Sequence, residues 1–164
     1  MKSLSLLFLI AVIECSVAQT PNVQAVAYSR ITTPGIPTGI GGPAINSLPV
    51  EYYIYVTVKK GTPVAVSSVC LKWQSYAANL KEVTSPVLVP HDPNLPTEAK
   101  DMLVPSTQEE VYQVNLQEQT GPACDDRAQL LARENEVVVV LKSRGTTLYA
   151  PAKTIVALAA AAAP

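Results

Sequence analysis

Histidine is almost missing from this chain, and its scarcity closes off more chemistry than any other feature. The 164 residues hold one, His91, between Pro90 and Asp92 in the proline-rich stretch SPVLVPHDPNLPTEAKD. A serine or cysteine triad needs a histidine that the fold brings to the nucleophile, and no serine here sits in a glycine-flanked elbow. His91 therefore reads as a solvated loop residue. Zinc is disfavoured on the same ground, because one histidine and the two distant cysteines Cys70 and Cys124, those left once the expected signal segment with Cys15 is removed, do not make the clustered ligand spacing of a zinc site. Asp92, Asn94, Glu98 and Asp101 offer oxygens to calcium, but their spacing fits no calcium-binding hand and lacks its turn glycine. Gly39, Gly41 and Gly42 precede Pro43 rather than a helix, so no backbone cradle for phosphate is gathered there. No cofactor is expected.

Charge is also sparse. Twelve basic and thirteen acidic side chains leave a net charge of −1, with no basic stripe, which argues against nucleic acid and against electrostatic docking to a membrane. The adjacent pairs Glu109–Glu110 and Asp125–Asp126 read as surface or as a helix start, although a carboxylate pair assembled by folding is not visible in sequence. The chain has no Asn-x-Ser/Thr sequon, which leans toward a cell-envelope protein.

What is present begins with an export signal. Met1–Ala18 combines Lys2, the apolar run Leu4–Ile13 and the small-residue site Ser16, Val17, Ala18, the pattern of a cleaved secretory segment. Its apolar run of about ten residues is shorter than the roughly 17 to 25 that a membrane span needs. Cleavage before Gln19 removes Cys15, together with any lipidation it could carry. It leaves about 146 residues, enough for one domain with a real core. Two cysteines then remain, Cys70 and Cys124, and an oxidising compartment predicts a disulfide between them. The expected location is secreted or periplasmic.

The body of the chain is patterned for strands. In Val50–Tyr76, Tyr52, Ile54, Val56 and Val58 alternate onto one face while Tyr53 and Tyr55 share the other. The turn Lys59, Lys60, Gly61, Thr62 predicts a hairpin that sets Val56 opposite Ala65 and Ile54 opposite Ser67, with Trp73 continuing the run. Val66 shares a face with Val69 and Leu71 only if Ser67 and Ser68 form a bulge. Further strands are expected at Val23–Thr33, Leu80–Val89, Val111–Leu116, Glu136–Leu141, Thr147–Ala150 and Thr154–Leu158. Ser143–Thr146 reads as a second hairpin turn. Asp125–Asn135 reads as the one short helix, capped by Asp125 or Asp126, with Ala128, Leu131 and Ala132 on one side.

The expected fold class is mainly β, an antiparallel two-sheet β-sandwich with one short helix. Its domain plan is residues 1–18 as signal, 19–49 as a first strand and Pro/Gly-rich arm, 50–158 as the sandwich, and 159–164 as an alanine-rich tail. The architecture is immunoglobulin-like without membership of that family, because Trp73 follows Cys70 by three residues instead of lying on the next strand.

For function, the sequence supports a non-enzymatic module with a structural or protein-interaction role. Its alternatives are a carbohydrate- or peptide-binding module using Tyr53, Tyr55 or a loop near Trp73, and an enzyme with a carboxylate pair. The weakest reading is a protease inhibitor presenting the Pro86–Pro105 loop. The partner is an unidentified protein or glycan.

Overall fold

The computed structural model describes residues 23–33, 50–91, 99–121 and 124–162. The expected signal and Pro/Gly-rich arm, and the residues Asp92, Asn94 and Glu98, lie outside them. Eleven strands and one helix run in the order β1 (Gln24–Thr33), β2 (Val50–Val58), β3 (Ala65–Leu71), β4 (Gln74–Val83), β5 (Val87–Pro90), β6 (Lys100–Val104), β7 (Glu110–Gly121), α1 (Asp126–Leu131), β8 (Val137–Ser143), β9 (Thr146–Ala152), β10 (Ile155–Ala157) and β11 (Ala161–Ala162). Among the described residues the protein is mainly β with one short helix.

The arrangement corrects the two-sheet antiparallel sandwich. Eight strands form one continuous path, β10-β1-β2-β7-β4-β3-β8-β9, and β11 also joins β1. The path curls until β9 approaches β1, which makes a nearly closed barrel. It is a mixed sheet because β10 and β11 run parallel to β1. The short link Lys153–Thr154 carries the chain from one end of the path to the other. Glu136 braces this link, its amide donating to the Lys153 carbonyl and its carboxylate accepting from the Ile155 amide.

The predicted hairpin between β2 and β3 does not form. Its turn does: the Thr62 amide donates to the Lys59 carbonyl at 3.1 Å, and Gly61 takes φ +79°, where glycine carries no Cβ penalty. The turn leads elsewhere, however. Val56 lies opposite Ala25 and Tyr112, while Ala65 lies opposite Lys142. Both edges of β2 are taken, by β1 and β7, and β3 sits three places further along the sheet. The residues from Lys59 to Val64 reach about 20 Å when extended, enough to cover three strand spacings of about 4.8 Å. The bulge at Ser67 is present, a register shift between Val66 and Ser68. It lets Val66 pack on the same core as Val69 and Leu71.

Inward-pointing residues fill the barrel, among them Ile54, Val56, Val69, Val114, Val139 and Leu141. Two smaller clusters sit outside it. Helix α1 lays Ala128, Leu131 and Ala132 over Cys70, Val138 and Val140, so β8 is buried on both faces, as its VVVVL run implies. Asp125 caps the helix, its carboxylate accepting from the Ala128 amide at 2.8 Å. On the other side β5 and β6 pair as a separate two-stranded ribbon that covers Tyr55 and Val111 with Leu103 and Val104. Ser85 ties the base of this ribbon down, its hydroxyl donating to the Thr107 carbonyl and accepting from the Thr107 amide, each at 3.1 Å. The stretch read as a presented loop thus holds a strand pair seated on the barrel.

Candidate functional site

Four places on the described surface carry chemistry. The first is the tyrosine face of β2. Tyr53 and Tyr55 do share that face, but it is not an open one, because the β5–β6 ribbon lies over it. Tyr55 is 3% exposed and Tyr53 half-buried. The Tyr53 hydroxyl donates to Glu51 at 2.7 Å, and that of Tyr28 donates to the Leu103 carbonyl at 2.6 Å. Burial pushes the hydroxyls of Tyr28 and Tyr55 above their ordinary value. Burial, then the hydrogen bond to Glu51 and its charge, take Tyr53 up to about 12.

These raised phenols make the fold less stable at alkaline pH. Below pH 10 the phenols are protonated in both states, and their contribution is complete. Above it the unfolded chain loses its protons first, so stability falls as pH rises from about 10 toward 12. Denaturant midpoints at pH 9, 10.5 and 12, read beside phenolate absorbance, should drop through that window; a flat midpoint contradicts the shifts.

The second place is the seam between the ribbon and β1. Arg30 is 2% exposed. Its guanidinium donates to the Pro90 carbonyl at 2.9 Å, lies 3.8 Å from Asp101 and stands over the Tyr53 ring at 5.7 Å. Among the described residues its Nε has no hydrogen-bond partner. His91, half exposed, places Nδ1 3.5 Å from the same Asp101 oxygen. Among the described residues no group of three His, Cys, Asp or Glu could hold a metal ion.

The third is an open cleft of about 510 Å³ where Glu82, Glu109 and Glu110 meet Lys60, Ser85 and Thr107. Glu110 accepts from the Gly61 amide at 3.0 Å and from the Tyr112 hydroxyl at 2.9 Å. These two donors hold its carboxyl below the usual range. A general acid for glycoside cleavage needs the opposite displacement. Glu110 instead anchors the β2–β3 turn.

The fourth is at the barrel end where β3 meets β4. Trp73 is not part of a long strand: Leu71 pairs with Gln74, and Lys72 with Trp73 forms the intervening two-residue turn. Both have left-handed backbone, φ +49° and +70°, the geometry that asparagine and glycine ordinarily supply in such hairpins. A non-glycine residue pays roughly 1 to 2 kcal/mol for it. The indole is 52% exposed and borders a cleft of about 320 Å³ with Lys72, Arg133, Glu134, Asn135, Glu136 and Lys153. Beside it Lys72 stands over the half-buried Tyr52 ring at 5.9 Å. Ile31 and Val50, 42% and 44% exposed, face each other at the same barrel end.

The predicted disulfide is present, Cys70 to Cys124, with 54 residues of separation. It ties together the two walls of this cleft. Cys70 lies two residues before the Lys72–Trp73 turn, and Cys124 precedes α1, which is followed directly by the turn holding Arg133–Asn135.

No family model, curated protein or solved structure gives a significant match to the chain. Among the described residues no helix is long and apolar enough to cross a membrane. The Trp73 turn escaped sequence reading because Lys-Trp carries none of the usual turn residues. Its one available signal was a large apolar ring beside two charged or polar neighbours, Lys72 and Gln74.

Proposed function

We propose that the chain is a non-enzymatic recognition module acting outside the cytoplasm, with binding centred on Trp73 and a carbohydrate or peptide as ligand. One observation carries this reading. A large ring is held half exposed on a turn whose backbone disfavours it, and such outliers concentrate where function maintains them. The export pattern of Met1–Ala18 and the disulfide support the location. On this reading Tyr53 and Tyr55 seat the ribbon, and recognition passes to Trp73. A protein-facing surface has separate support in the cross-strand pair Leu88 and Met102, 45% and 59% exposed on the outside of the ribbon.

Trp73→Gly tests the proposal. Relief of backbone strain, about 1 kcal/mol, offsets part of the lost half-burial of the ring, about 1 to 2 kcal/mol, so stability should stay within about 1 kcal/mol of the parent. Retention of the chain beginning at Gln19 on native envelope or extracellular material should fall at least tenfold. Undiminished retention by the folded variant overturns the assignment.

A further inference from the structure

We infer that the Trp73 cleft takes a carboxylated sugar, with the pyranose ring on the indole and its carboxylate among Lys72, Arg133 and Lys153; this rests on Trp73 being the recognition element. The cleft volume of about 320 Å³ is at the small end of ligand pockets, which suits one or two sugar rings better than an extended chain. The indole offers a flat apolar face for the C–H face of a sugar, together with an N–H donor at its edge.

Charge selects among sugars. Three cations and two carboxylates line the cleft, a local balance of +1 in a chain whose total is −1. One of the carboxylates, that of Glu136, is already engaged by the Ile155 amide. Among the described residues the ion pairs are those of Asp101 with Arg30 and His91, so no carboxylate neutralises Lys72, Arg133 or Lys153, and Arg133 and Lys153 are the two not engaged on a ring as Lys72 is on Tyr52. Cationic side chains therefore outnumber carboxylates in the cleft, which favours an anionic sugar over a neutral one. Arg133 adds a planar fork matched to a carboxylate. A continuous polyanion fits less well, since Glu134 and Glu136 interrupt the positive field.

Trp73 is the one tryptophan of the chain, so indole emission, excited to the red of tyrosine absorption, reports on this cleft and nowhere else. The test titrates the intact protein with oligogalacturonate, with its methyl ester, and with polyglutamate as an anionic peptide. A saturable emission change is expected with the acid form, at least about tenfold weaker with the ester, and weakened by added salt. Arg133→Gln and Lys153→Gln, both at exposed positions, should each reduce affinity for the acid about tenfold and leave the unliganded spectrum unchanged. Equal affinity for acid and ester overturns the charge assignment while leaving recognition by Trp73 in place. A response to polyglutamate alone overturns the sugar in favour of a peptide. Silence toward all three, together with retention that Trp73→Gly does not alter, overturns both this inference and the reading beneath it.

Discussion

Replacing Cys70 and Cys124 together with alanine should lower the free energy of unfolding by about 4 kcal/mol, the loop-entropy value for a closed loop of about 55 residues. The loss is large because the separation of 54 residues gives the reduced unfolded chain much freedom. It is also concentrated. Both cysteines are buried, 2% and 7% exposed, against Ala128, Ala132, Val138 and Val140. Helix α1 is only six residues long, too short to persist by propensity, so it depends on this patch and on the covalent tie. Its release would move Arg133 and Asn135 away from Trp73. Chemical denaturation should show the lowered stability, and amide exchange should show α1 opening before the barrel. A loss below about 1 kcal/mol, with α1 exchange unchanged, contradicts the account.

Arg30→Ala should be the most damaging single substitution among the charged residues, at about 2 to 4 kcal/mol. Breaking a buried ion pair costs roughly 3 to 5 kcal/mol because the surviving charge is stranded. The lower range applies because Asp101 is one-third exposed and water partly solvates it. Arg30 also holds the Pro90 carbonyl and stands over Tyr53, so its removal detaches the ribbon locally. Exchange should accelerate in Val87–Pro90 and Lys100–Val104 while β8 stays protected. Arg30→Met, which keeps the stem's packing, should lose less than Arg30→Ala. Equal losses in both variants would show that packing along the stem contributes little to holding the ribbon.

Much of the fold was legible because its signals are local. Alternation in Val50–Val58 and Val111–Leu116, the unbroken valines of β8, the Asp125 cap and the pair of cysteines each act within a few residues or leave one pairing to choose. Strand order was not legible. Nothing in Lys59–Thr62 distinguishes a turn that returns beside β2 from one that carries β3 to a different place in the sheet. Only the competition of β1 and β7 for the edges of β2 decides it.

The same limit explains the candidate site. Alternation correctly placed Tyr53 and Tyr55 on one face, but what covers that face depends on a ribbon 30 to 50 residues away in sequence. Its second strand, KDMLV, is short and lies near prolines, so it read as loop. The Lys72–Trp73 turn lacks turn chemistry altogether. Departures of this kind, where local preference and native conformation disagree, are expected where function competes with stability.

Collisional quenching of the single indole tests the central claim most directly. Acrylamide and iodide should quench Trp73 efficiently in the free protein, as its exposure of 52% requires, and much less once the protein is bound to the extracellular material that retains it. Iodide should discriminate further, since an anion is drawn to the lysines and arginine of the empty cleft and excluded when the cleft is filled. Quenching that is identical in free and bound protein would place the contact elsewhere and contradict recognition through Trp73.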